Sequence, residues 1–99
     1  MRLVYVPEAR FDVLNAVTHY ESCEEGLAAE FYAELKKAER EILEWPEFWG
    51  AMGEGYRRKL LKRFPYGIVY HELDQDTLEV VAVMHQKQKP DHWRDRKKS

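Results

Sequence analysis

The sequence predicts an α+β fold in the order strand, helix, helix, strand, strand, strand. A helical hairpin packs on a mostly antiparallel four-stranded sheet, and a short basic tail closes the C-terminus. Three observations predict it. Apolar residues recur at helical spacing over residues 27–45. The pattern then changes to runs such as "FPYGIVY" (64–70) and "LEVVAVM" (78–84), whose residues suit a pleated surface. Between these runs, Asp74, Gln75 and Asp76 read as a tight hairpin turn.

Each element has its own local reason. Residues 3–6 of "RLVYVPEA" form a first strand. Pro7 ends it and suits the first turn of a helix, where Glu8 meets the positive end of the dipole. Val13, Ala16, Val17 and Tyr20 then recur at helical spacing. Gly26 breaks the pattern, and Ser22 followed by Glu25 has the form of a capping box. The second helix carries the stripe Leu27, Phe31, Leu35, Ala38, Ile42 and Trp45. Glu30, Glu34, Lys37 and Glu41 occupy its opposite face. Pro46 stops it, because the residue before a proline is pushed out of helical geometry. The short connection between the helices makes them an antiparallel hairpin.

"EFWGAMGEG" (47–55) reads as a loop whose Phe48 and Trp49 dock back on the core. Residues 56–64 form a long charged strand, Pro65 a turn or strand start, and residues 68–70 an apolar strand. The nearly continuous run 78–84 reads as a central strand covered on both faces. Two tight connections in succession make an antiparallel meander, and the first strand returns beside one of these three. Pro90 ends the sheet. "DHWRDRKKS" is the basic tail, with room for one helical turn, and Trp93 anchors it to the sheet.

Ninety-nine residues make one domain, 1–99, and 44% hydrophobic with 13% aromatic content excludes a disordered chain. No apolar stretch approaches the roughly 20 residues that span a bilayer, so no membrane partner is expected. No leader-like segment precedes the first strand. Cys23 is the single cysteine, which fits a reducing compartment, and the predicted localisation is cytoplasmic. His19, His71, His85 and His92 lack the spacing of a zinc site, and the sequence has no glycine-rich phosphate loop or nucleophile elbow. Neither a metal nor a cofactor is expected.

The net charge of −2 hides an asymmetry. Residues 1–55 carry five Lys/Arg against twelve Asp/Glu, a balance of −7, while residues 56–99 carry eleven against six, a balance of +5. Two readings follow. The basic half meets an acidic or polyanionic partner, or an acidic helical layer neutralises a basic sheet within the molecule. The charge peaks in "RRKLLKR" (57–63), with five cations in seven positions. Strand alternation puts Arg57, Lys59, Leu61 and Arg63 on one face and Tyr56, Arg58, Leu60, Lys62 and Phe64 on the other. Neither face is wholly apolar, as on an edge strand with basic stems lying over the core.

Several of these segments, taken in order, resemble the RelE/ParE superfamily of toxins from bacterial toxin–antitoxin modules. They are Arg57-Arg58, "FPYGIVY" (64–70), "VVAVMH" (80–85), "KPDHW" (89–93) and Arg96. "GLAAEFYAELKKAEREI" (26–42) is similar to the second helix of the ParE-like, plasmid-stabilisation branch. The resemblance covers nearly the whole chain and implies the fold derived above. It also implies a small cytoplasmic toxin held inactive by a cognate antitoxin, with operator DNA reached only through that antitoxin. One branch of the superfamily cuts messenger RNA in the ribosomal A site, whereas the ParE branch is associated with poisoning DNA gyrase. The cutters carry an arginine just before the apolar run of the third strand. Gly67 stands there in this chain, which tilts the reading towards ParE.

RNA cleavage by in-line attack needs a base, an acid for the leaving oxygen, and cations around the charged transition state. His85 is the acid/base candidate, since imidazole titrates near neutral pH. Arg58, Lys62, Lys87 and Lys89 supply charge, and Tyr66 or Tyr70 a stacking ring. A histidine at a strand end also has a plain structural reading, as a hydrogen-bonded residue. The residues expected to face a target, RNA or an antitoxin are Arg57, Arg58, Lys62, Tyr66, Lys87, Lys89, Arg94 and Arg96. The chain is not an enzyme if it acts on gyrase, and an endoribonuclease if it cuts messenger RNA on the ribosome. A third reading is an inactive relic or a plain interaction module on the same fold.

Overall fold

Pro7 stops the first strand and starts the first helix, and the rest of the architecture follows from that early turn. A computed structural model describes residues 1–89, 92–94 and 96. It contains β1 (Arg2–Tyr5), α1 (Pro7–Cys23), α2 (Leu27–Glu44), β2 (Gly50–Gly53), β3 (Tyr56–Leu60), β4 (Tyr66–Asp74) and β5 (Thr77–His85). The sheet order is β1-β5-β4-β3-β2. β1 runs parallel to β5, and the other pairs are antiparallel.

The sheet therefore has five strands, not the four expected. The missed strand, β2, is "GAMG", whose glycines and alternation give no strand signal. A hairpin turn creates it. Glu54 and Gly55 have φ of 57° and 86°, positive at both central residues as a type I′ turn requires. β3 consequently lies inside the sheet rather than at its edge. It also ends at Leu60, short of Phe64. β4 is longer than the apolar run 68–70, because backbone pairing with β5 extends it from Tyr66 to Asp74. The expected turn is present, with the Asp76 N–H donating to Asp74 Oδ1 at 2.9 Å.

Both faces of the sheet are covered. On the inner face, Phe31, Leu35, Ala38 and Ile42 of α2 and Ala9, Ala16 and Tyr20 of α1 bury against Ile68, Tyr70, Leu78, Val80 and Val83. On the outer face, Tyr56, Val69, Val81, Ala82 and Met84 pack beneath Trp93 of the tail, which is fully buried as expected. β5 serves both faces through a bulge. The register passes from Val69↔Ala82 to Tyr70↔Val80 and leaves Val81 unopposed. That extra residue hides the alternation of "LEVVAVM" and makes the run look uniformly apolar.

Three aromatic and capping expectations need correction. Trp45 is not part of the α2 core stripe. It lies at the helix C-cap, 61% exposed, because the chain turns outward before Pro46. Phe48 does not dock on the core and is 73% exposed, whereas Trp49 does dock, with its Nε1–H donating to the Glu41 carbonyl at 3.3 Å. The Ser22/Glu25 capping box does not form. Ser22 Oγ donates to the His19 carbonyl at 2.7 Å, and Gly26, at φ 87°, makes the entry into α2 without a side-chain cap.

Candidate partner-binding face

The charge asymmetry is largely spent inside the molecule. Lys59 is buried, 3.4 Å from Glu41, and its ammonium lies 4.0 Å from the centre of the Trp49 ring. Arg63 pairs with Glu30 at 2.6 Å, and its backbone N–H donates to Glu34 at 2.7 Å. Both contacts tie the end of the basic run to α2. The expected alternation of faces holds through Leu60 and fails beyond it. Leu61 leaves the ladder, donating its N–H to the Tyr66 carbonyl at 2.9 Å, and Phe64 joins the inner core.

Arg57 and Arg58 point to opposite faces of β3. Arg57 faces inward and donates to the Trp49 carbonyl at 2.9 Å. It lies near Tyr70, whose hydroxyl donates to the Pro46 carbonyl at 2.7 Å and whose pKa burial pushes up to about 12 against the pull of Arg57. Arg58 faces outward, with its stem across Gly67. A Cβ at Gly67 would stand 3.0 Å from Arg58 Cγ, 3.1 Å from its Cδ and 3.1 Å from Leu60 Cδ2. The position where RNA cutters place an arginine is therefore the floor beneath an arginine of the neighbouring strand. A glycine inside a strand often marks such a close approach, and that signal was present in the sequence.

His85 and Tyr66 are cross-strand partners, their rings 5.2 Å apart and edge to face. Tyr66 also packs against Phe31 at 5.3 Å and Tyr20 at 6.2 Å, so it belongs to the inner face. Burial raises its pKa, with the Asp12 charge adding to the effect. His85 is fastened to the turn that follows it. Its Nδ1 accepts the Lys87 N–H at 3.0 Å, and its own N–H donates to Gln88 Oε1 at 2.8 Å. With Nδ1 accepting, the neutral ring carries its proton on Nε2 and offers no free lone pair for a general base. Met84 lies in the outer cluster, so alternation places His85 on the inner side, across the sheet from Arg58. Lys87 and Lys89 are exposed just beyond it, and Lys62 is exposed in the loop after β3.

The two tail arginines are engaged within the chain. Arg94 lies 4.9 Å from the centre of the Trp93 ring and pairs with Glu54. Arg96 grips Asp12 of α1 through two contacts, at 2.6 and 3.2 Å, and donates to the Val81 carbonyl at 3.1 Å. Asp12 in turn accepts the Val83 N–H at 3.0 Å. β1 stops at Tyr5, and this ion pair satisfies the edge of β5 that β1 leaves uncovered. Pro90, Asp91, Asp95 and residues 97–99 lie outside the described residues, including Lys97, Lys98 and two positions of the "KPDHW" motif.

The open part of this surface lies at the β2 end. A groove of about 290 Å³ is bordered by Trp49, Gly50, Ala51, Met52, Arg58, Lys59 and Leu60. Beside it, Trp45, Phe48 and Trp49 line an apolar recess of about 390 Å³ with Glu41 and Glu44. Sequence reasoning missed this corner, since "GAMG" and an aromatic pair around Pro46 look like an ordinary loop. Among the described residues, no three His, Cys, Asp or Glu side chains converge for a metal ion, and no helix is long and apolar enough to cross a membrane.

A family model described as the ParE toxin of the type II toxin–antitoxin system parDE matches residues 3–90. Among solved structures, the chain is similar to a chain of the chromosomal ParDE TA system from P. aeruginosa. The identity is 16%, the TM-score is 0.71, and the likeness covers 86% of this chain and 95% of that one. At that identity the likeness speaks to the fold. No curated protein matches the chain.

Proposed function

The chain belongs to the ParE toxin family of type II toxin–antitoxin systems, whose model spans residues 3–90, and on that premise we propose that it arrests growth by binding an essential protein, DNA gyrase, and not by cutting RNA. A cognate antitoxin neutralises it by covering its cationic surface. The observation that carries this reading is the separation of the RNA-cutting candidates. His85 is held in its turn through Nδ1, on the side of the sheet opposite Arg58. A general base must reach the proton it takes with a lone pair, and the Nδ1 of His85 already accepts the Lys87 N–H at 3.0 Å. Lys62, Lys87 and Lys89 are exposed and Arg58 is half-buried on the outer face, charges suited to a macromolecular partner.

The test is induced expression with and without the product of the neighbouring reading frame, scoring growth, the DNA-damage response and RNA integrity together. Growth arrest with DNA damage and intact messenger RNA, relieved by the neighbour, is the expected result. Messenger RNA cleavage that disappears in His85→Ala would instead establish the endoribonuclease reading.

A further inference from the structure

Trp45 and Phe48 expose most of their rings to water, yet the loop that carries them is braced along its length. The Trp45 N–H donates to the Glu41 carbonyl at 3.0 Å, and the Phe48 N–H to the Trp45 carbonyl at 3.1 Å. The Pro46 carbonyl accepts the Tyr70 hydroxyl at 2.7 Å, and the Trp49 carbonyl accepts Arg57 at 2.9 Å. Rings on a frame already ordered lose less freedom when a ligand arrives. They shape a recess and not a flat patch. Phe48 and Trp49 stand at 89° with centres 4.7 Å apart, two walls at a right angle. Trp45, Glu41 and Glu44 complete the lining of about 390 Å³, a volume within the range of small-ligand sites.

The charge of this recess is negative. No cation lines it. Its two carboxylates come from the end of α2, whose last turn has no basic residue, so they add to the negative end of the helix dipole instead of offsetting it. Lys59 answers Glu41 at 3.4 Å. Glu44 is exposed and forms no ion pair among the described residues. The chain itself shows how a cation is held here. The Lys59 ammonium sits 4.0 Å from the centre of the Trp49 ring and beside a carboxylate, and the recess offers the same pairing again, with exposed rings and Glu44. A primary ammonium needs several acceptors to replace its water, and here one uncommitted carboxylate stands among rings. A methylated ammonium needs none, and meets the rings through its methyl groups. The recess has the size of a solute, and Glu44 and the exposed Glu47 oppose the anionic surface of a membrane.

We propose that this recess binds a small quaternary-ammonium solute, with Trp45, Phe48 and Trp49 around the methylated head and Glu44 as its counter-charge. The inference is independent of the toxin reading. Choline is the probe, titrated into the purified full chain and followed by the indole Nε1–H signals in NMR spectra. Saturable binding with a Kd of about 1 mM is expected. The signals of Trp45 and Trp49 move, and that of Trp93, buried on the outer face, does not. Two analogues separate shape from charge. The neutral carbon analogue of choline, with a tert-butyl group in place of trimethylammonium, keeps the shape; ethanolamine keeps the charge without the methyl groups. Each binds at least about five-fold more weakly. Glu44→Gln and Phe48→Leu change exposed side chains, and each raises the choline Kd at least about three-fold. Glu47→Gln, outside the lining, leaves it unchanged. No saturation below about 50 mM choline, equal affinity for either analogue, or an unchanged Kd in both recess variants overturns the inference. Capture by phosphatidylcholine vesicles with no response to free choline overturns it as well, since the occupant is then a membrane.

Discussion

Replacing Asp12 by alanine removes one carboxylate that accepts three hydrogen bonds. The Arg96 guanidinium reaches it at 2.6 and 3.2 Å, and the Val83 N–H at 3.0 Å. Both side chains are mostly out of water, at 14% exposed for Asp12 and 18% for Arg96. Asp12→Ala leaves a strand N–H without an acceptor, at a cost of about 1–3 kcal/mol. It also removes the Asp12 carboxylate from the Arg96 guanidinium, and breaking a buried pair costs about 3–5 kcal/mol when burial is complete. Partial exposure reduces the second figure, so the expected loss is about 3 kcal/mol, or more than about 10 °C in melting temperature for a chain of this length. Asp12→Asn keeps an oxygen for Val83 and loses the charge, so it falls between wild type and alanine. The assay is equilibrium urea unfolding of Asp12→Ala, Arg96→Met and the double variant. The two changes should be strongly non-additive, coupled by about 1–3 kcal/mol. Additive effects, or an Asp12→Ala midpoint close to wild type, would mean that the pair is a solvated surface contact and that the β5 edge is sealed some other way.

Two further outcomes follow from the packing. Tyr70 is buried as the neutral phenol, with its pKa raised from 10.0 to about 12. Its contribution to stability is therefore complete below pH 10 and is lost as pH rises through about 12. Tyr70→Phe should flatten the alkaline decline in urea midpoint over that window, and an unchanged slope would remove Tyr70 as its cause; Tyr5, raised in the same direction by burial and by Glu39, maintains part of the decline at higher pH. Trp93→Ala should cost about 3–5 kcal/mol, since the tail is the cover over Val69, Val81 and Met84; a loss under about 1 kcal/mol in the same assay would show that the outer face does not depend on it.

The parts of the fold that were legible are those whose signal is local. The stripe Phe31, Leu35, Ala38 and Ile42 repeats at helical spacing and is buried along its length. The helical hairpin and the Asp74–Asp76 turn rest on short connections and turn residues and stand as expected, and β1 returns beside one of the three later strands, which is β5. What was not legible depends on partners far away in sequence. β2 exists because a turn folds Gly50–Gly53 onto β3, not because of its own residues. The bulge at Val81 is defined only against β4. Asp12 and Arg96 lie 84 positions apart, so no window over the sequence could show that Arg96 braces α1 and β5. For the same reason Arg96 was expected at a partner surface together with Arg58, and nothing in the basic run marked Lys59 and Arg63 as engaged within the chain. Only packing separates cations engaged by Glu41, Glu30 and Asp12 from one held over Gly67.

The most direct measurement is DNA supercoiling by purified gyrase in the presence of the purified chain, run beside ribosome-bound messenger RNA. The toxin described here inhibits supercoiling or traps gyrase on cleaved DNA, it leaves the messenger RNA whole, and His85→Ala inhibits as well as wild type. Unaffected gyrase beside cut messenger RNA, with the cutting lost in His85→Ala, would contradict the account at its centre.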